Sequence, residues 1–195
     1  MQARFWVLVF FFLSGMTGLL YEVVWTRLLT LVMGNTHYSV STVLTTFMGG
    51  LALGSFLGGR IVDRIDNPLR FYAKLELAIG VFCFLIPFLI EVIQPILKWI
   101  YLTHQGAYLK ASFDRFLVCS FILIIPTTCM GATLPVLGRF ISCNPRLVGK
   151  DVGTLYAINT FGAVLGALSS VFVFMPWLGL RGTLWLAALI NVAIG

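Results

Sequence analysis

The chain predicts an all-α integral membrane protein forming a single transmembrane domain over 1–195, and three observations carry that expectation. Hydrophobic residues make up 59% of the sequence and charged residues 10%, where soluble domains carry about a quarter charged; mean hydropathy is +0.99. Apolar stretches near 5–33, 39–59, 75–97, 116–141 and 152–175 reach or approach the roughly 20 residues a helix needs to cross a bilayer, and a sixth, 183–195, is incomplete. The segment 49–70, GGLALGSFLGGRIVDRIDNPLR, sets a glycine at every fourth position (Gly50, Gly54, Gly58) and then stops abruptly in Arg60, Asp63, Arg64, Asp66 and Arg70. A glycine-striped apolar helix halted by a basic cluster reads as a span ending at the cytoplasmic face.

The first span has an apolar run too long for a cleavable signal peptide, with no small-residue cleavage site after it. It is interrupted by Tyr21, Glu22, Trp25 and Arg27. Ionisable residues inside a span are candidate functional groups, to be weighed against a structural ion pair or a snorkelling charge. Glu22 and Arg27 stand five apart, about 140° around the helix, and are poorly placed to pair with each other. Glu22 reads as the one acidic residue deep in a span. It is expected to face protein and meet a polar group such as Asn159, or Arg27 of a neighbouring copy. The second span carries the glycine stripe.

The outer segment 98–115, KWIYLTHQGAYLKASFDR, mixes Trp99, Tyr101, Tyr108 and Phe113 with a few charges and reads as an interfacial helix or turn. His104 within it has no evident partner for metal binding or acid–base work. In the fourth span Pro126 and Pro135 bracket TTCMGATL. Each proline frees a carbonyl one turn earlier, for Thr127, Thr128 or Thr133 to satisfy, unless the broken backbone lines a cavity. The fifth span sets Asn159 near Gly162 and Gly166, a second small-residue stripe in which Asn159 serves as interhelical glue or as a ligand group. The last stretch, 183–195, covers about 20 Å of a core roughly 30 Å thick, so the native polypeptide is expected to continue and complete the span.

Lys and Arg number 13 against 7 Asp and Glu. They sit at span ends and not on one patch, which reads as topology and not as nucleic-acid binding. With a cytoplasmic amino terminus, Arg4, Arg60, Arg64, Arg70, Lys74, Arg139, Arg146 and Lys150 lie inside, and Lys98, Lys110, Arg115 and Arg181 outside. That excess favours both termini in the cytoplasm, and the expected location is a bacterial inner membrane. Cys83, Cys119 and Cys129 fall within spans and Cys143 in an inner loop, without spacing for a disulfide framework or zinc. No phosphate-cradling loop, dinucleotide fingerprint or nucleophilic triad is present, so the sequence offers no catalytic residue, cofactor or metal site.

Three segments, 11–64 with its YEVVWTR piece and the glycine ladder ending in GGRIVDR, PTTCMGATLPVLGRF at 126–140 and GTLYAINTFGAVLGAL at 153–168, resemble the membrane part of spermidine synthase-like proteins described as fused to a major-facilitator-like region. GGRIVDR is also similar to the loop between spans two and three of major facilitator transporters, with Gly59, Asp63 and Arg64 in matching places. The resemblance implies a bundle of about six spans, like half of such a transporter, and a cytoplasmic latch formed by Arg60, Asp63 and Arg64. The family's catalytic aminopropyltransferase domain is missing, so the resemblance implies no enzyme activity for this chain and leaves it open for a longer native protein. Two readings follow. One is a non-catalytic anchor or subunit that docks through its glycine-striped helices onto other membrane helices, in a homo-oligomer or larger complex. The other is a small-solute module, plausibly for a polyamine, with Glu22 as counter-charge and Tyr21 and Trp25 as cation–π faces. A dication prefers two counter-charges, and one visible deep carboxylate favours the anchor.

Overall fold

A computed structural model describes residues 2–34, 36–104, 107–142 and 147–195, and the regular structure among them is entirely helical. The order is α1 (Gln2–Met33), α2 (Thr36–Ile61), a 3-10 turn (Val62–Arg64), α3 (Pro68–Thr103), α4 (Tyr108–Ile141), α5 (Val148–Ser169), a π-helical turn (Ser170–Phe174) and α6 (Met175–Ile194). Among the described residues, five helical stretches are long and apolar enough to cross a membrane: Arg4–Met33, His37–Arg64, Pro68–Thr103, Leu109–Ile141 and the 47-residue Val148–Ile194.

The last of these is not straight. Gly179 adopts φ 69° and ψ −179°, a conformation that a residue with a Cβ rarely takes. Before it, the chain follows α1 in the same direction, Asn159 lying on Phe11 and Gly166 on Met16. After it, the direction reverses: Asn191 meets Tyr21 of α1 and Glu76 of α3, while Arg181 meets Glu91 farther along α3. The two arms of this stretch are therefore antiparallel, with the bend at Gly179.

The glycines decide the closest contacts. A Cβ at Gly50 or Gly54 would run into Thr127 or the Thr128 carbonyl of α4, one at Gly58 would lie 3.0 Å from Ala132 Cα, and one at Gly131 of α4 would strike Leu51 of α2. Likewise Gly162 and Gly166 of α5 abut the backbone of Phe12 and Met16 in α1, and Gly15 of α1 abuts Asn159. Apolar burial gives little preference for helix over lipid tail inside a bilayer, so backbone approach and dispersion hold such pairs. This corrects the expectation that the stripes dock partner helices: their open sides are filled by facing helices of the same chain.

Segment 98–115 is corrected as well. Its helical hydrogen bonds continue from α3 to Thr103 and resume at Tyr108, so its described residues are the ends of two long helices and not a separate helix. The His104 ring, expected to stand alone, has Nε2 3.8 Å from Asp114 Oδ2. In α4 both prolines are absorbed without a break. Thr127 donates to Leu123 O and Ile124 O, Thr128 to Ile124 O and Thr133 to Met130 O, one or two residues from the carbonyls the prolines free. Large side chains such as Phe121, Phe172 and Trp177 point outward, at 74–85% exposure, as lipid-facing residues do.

Charged contacts gather at the two ends. At one, Arg4 of α1 holds Asp151 of α5 at 2.5 Å, and Arg139 of α4 binds Asp63 at 3.1 Å together with the Val62 carbonyl. At the other, Arg181 pairs with Glu91, and Arg115 of α4 donates to Val32 O at the end of α1, 2.8 Å away. Cys143 and Arg146 lie outside the described residues.

Candidate functional site

The polar centre of the bundle is a relay across three helices. Asn67 caps α3 by accepting from Arg70 N at 3.0 Å, with Pro68 in the first turn, so α3 starts well before the apolar run and carries Glu76 two turns inside the helix. One turn farther, Gly80 lets α3 close on α6, where a Cβ would sit 2.8 Å from Ala188 O. That approach brings Asn191 onto Glu76: Asn191 Nδ2 donates to Glu76 Oε2 at 2.5 Å. Tyr21 of α1 donates its hydroxyl to Asn191 Oδ1 at 2.8 Å. The three residues are at most 1% exposed.

With Glu76 ionised, chemistry sets the direction of this relay. Tyrosine donates, the amide accepts on oxygen and donates on nitrogen, and the carboxylate accepts. The opposite amide orientation would set its oxygen against the carboxylate. Ser14 and Tyr72 adjoin the same carboxylate, while Glu76 Oε1, the Tyr72 hydroxyl and Trp25 Nε1 are buried with no hydrogen-bond partner. Trp25 stacks on Tyr21 with centroids 5.5 Å apart, and Phe47 of α2 meets its edge at 6.4 Å. Glu76 Oε1, a buried acceptor beside Ser14 and Tyr72, can take up a cation or a proton.

The sequence-derived candidates divide around this centre. Tyr21 and Trp25 belong to it. Glu22 lies on the adjacent face of α1, half-buried, with Oε2 closed off and unpartnered. Arg27 is exposed. Asn159 does not reach Glu22; its Nδ2 donates to Phe11 O at 3.0 Å, about three turns along α1, so it joins α5 to α1. Glu76 overturns the expectation of a single deep carboxylate. Its signal was present in the sequence: Tyr72, Glu76 and Gly80 follow at i, i+4 spacing, one face of a helix, once that helix is started at Asn67 and not at 75.

In the 3-10 turn after α2, Asp63 is clipped to Arg139, and in the last turns of α2 the Arg60 guanidinium lies 4.1 Å over the Phe56 ring. A Cβ at Gly59 would meet nothing within 4 Å. Among the described residues, no three His, Cys, Asp or Glu side chains gather to hold a metal, and Cys83, Cys119 and Cys129 are free thiols.

Among curated proteins, the chain is similar to polyamine aminopropyltransferase 2 of Streptomyces coelicolor, 29% identical over 98% of this chain and 33% of that protein. Polyamine aminopropyltransferases of Corynebacterium efficiens (26% identical, 97% of this chain, 34% of that protein) and Oceanobacillus iheyensis (23%, 91% and 31%) are also similar. The chain thus spans about a third of the length of the curated relatives it matches. No family model matches it, and no solved structure matches it.

Proposed function

We propose that this chain is the membrane module of a spermidine synthase-like protein, anchoring in the inner membrane a catalytic part that it does not itself contain. The observation that carries the reading is the alignment: nearly the whole chain matches a third of three aminopropyltransferases, and that third is built here as apolar helices long enough to span a bilayer. The bend at Gly179 supports counting the last stretch as two passes, for six in all, as in half of a major facilitator transporter. The end carrying Arg4, Arg60, Arg64, Arg70, Lys74, Arg139 and Lys150 is then cytoplasmic by the positive-inside rule. The Asp63–Arg139 clip plays the part of the cytoplasmic latch.

The test is fractionation together with an activity assay. The chain should stay in the membrane pellet after alkaline carbonate extraction and transfer no aminopropyl group from decarboxylated S-adenosylmethionine to a diamine. Release into the supernatant, or measurable transfer, would overturn the reading.

Glu76 favours a second reading, a polyamine-binding or transporting module. With Glu22 it supplies two carboxylates on neighbouring helices, which removes the objection that a dication would find only one counter-charge. Labelled polyamine uptake into proteoliposomes should then be lost in both Glu76→Gln and Glu22→Gln. Uptake no higher than in empty liposomes would leave the anchor alone.

A further inference from the structure

At the end of the bundle away from Arg4, two cavities of about 510 and 450 Å³ share Leu31, Val32 and Gln94. The smaller contains Glu91 and Arg181, already paired with each other. The larger is lined by Lys98, Tyr101 and Arg115 beside the last turn of α1, with Leu31 and Leu97 as apolar wall. Among the described residues lining that lobe there are two cations and no carboxylate. Asp114, next to Arg115 in sequence, lies 3.8 Å from His104.

Arg115 is half-committed. Its Nη2 donates to the Val32 carbonyl, an acceptor left over at a helix end, and its guanidinium lies 5.9 Å from the Tyr101 ring centroid. That uses one of five N–H donors. Its Nε is buried and has no hydrogen-bond partner. A guanidinium with one N–H engaged, a lysine lining the same lobe and an apolar wall are the donor set for a phosphate-type oxyanion attached to an apolar body.

We infer that the larger lobe binds a phosphate group, carried by an anionic lipid headgroup or free in solution. It lies at the ends of the spanning helices, level with headgroups, and its charge repels the polyamine cations considered above. The inference is therefore independent of the relay at Glu76.

The purified full chain in detergent tests this with two probes: phosphatidylglycerol retention read by native mass spectrometry, and stabilisation by inorganic phosphate read by thermal shift. One cation near an anionic lipid surface contributes about 1 kcal/mol, so Lys98→Gln should weaken phosphatidylglycerol retention about fivefold, and Arg115→Gln at least as much. Arg27→Gln, removing an exposed charge from the same half of α1, should change nothing. Loss of lipid retention in Lys98→Gln identifies the headgroup as the source; loss of the phosphate shift alone identifies the free anion. Lys98 is exposed, so its variant stays informative if Arg115→Gln fails to fold. Equal binding of both probes by wild type and Lys98→Gln, or an equal loss in Arg27→Gln, overturns the inference.

Discussion

Replacing Asn191 by Leu removes the middle of the relay while nearly conserving volume. Two hydrogen bonds disappear, from Tyr21 at 2.8 Å and to Glu76 at 2.5 Å. Interhelical hydrogen bonds in membrane proteins contribute about 0.6 kcal/mol on average and up to about 1.7. The bond to the carboxylate belongs at the upper end, being short, charge-assisted and buried. Together they predict a loss of roughly 2–3 kcal/mol, the upper figure including the cost of stranding buried groups. Tyr21→Phe breaks only the first bond and should cost roughly 1 kcal/mol in the wild-type background. In the Asn191→Leu background it should cost almost nothing, because its partner is gone. Unfolding in mixed detergent micelles, followed by tryptophan fluorescence, measures all four corners of this cycle. If Tyr21→Phe costs the same in both backgrounds to within about 0.3 kcal/mol, the two side chains are uncoupled and the relay is wrong.

Gly54→Ala should destabilise by about 1–3 kcal/mol, since its Cβ runs into the Thr128 carbonyl, whereas Gly49→Ala, with open space around it, should be neutral or slightly stabilising; the same micelle titration reads both. Arg4→Gln should cost more than Asp151→Asn, because the aspartate side chain is only 8% exposed against 54% for the arginine, and removing the cation strands a buried carboxylate. Gly179→Ala should cost about 1–3 kcal/mol through backbone strain, and thermal unfolding checks it against Gly182→Ala, whose Cβ would meet only the Leu178 side chain at 3.0 Å.

Much of the architecture was legible because bilayer chemistry writes it locally. Apolar length sets a span, and arginines mark its ends. Spacing showed that Gly50, Gly54 and Gly58 share a face, but not that the face belongs to α4. Nor could it show that Asn159 is occupied by Phe11, since partners 148 residues apart leave no local trace. Glu76 escaped for a different reason. It follows Arg70 and Lys74, so local composition places it at the membrane surface, and only the early cap at Asn67 together with the approach at Gly80 carries it inward. Arg115 likewise read as an interfacial charge until the end of α1 was set beside it.

The glycine contacts have a mechanical consequence. In α2 with α4, and in α1 with α5, glycines let backbone rest on backbone at Gly54, Gly131, Gly162 and Gly166, with only short side chains such as Thr127 and Asn159 between. Such a seam resists slipping by a fraction of a turn, because closely packed interfaces move between discrete fits. Each couple therefore behaves as a stiff two-strand beam. The compliant joints lie between the beams, where α3 and the arm after Gly179 meet α1 through side chains, and those are the joints the relay of Tyr21, Asn191 and Glu76 pins. Breaking that one pin should loosen the hinge and leave both beams intact.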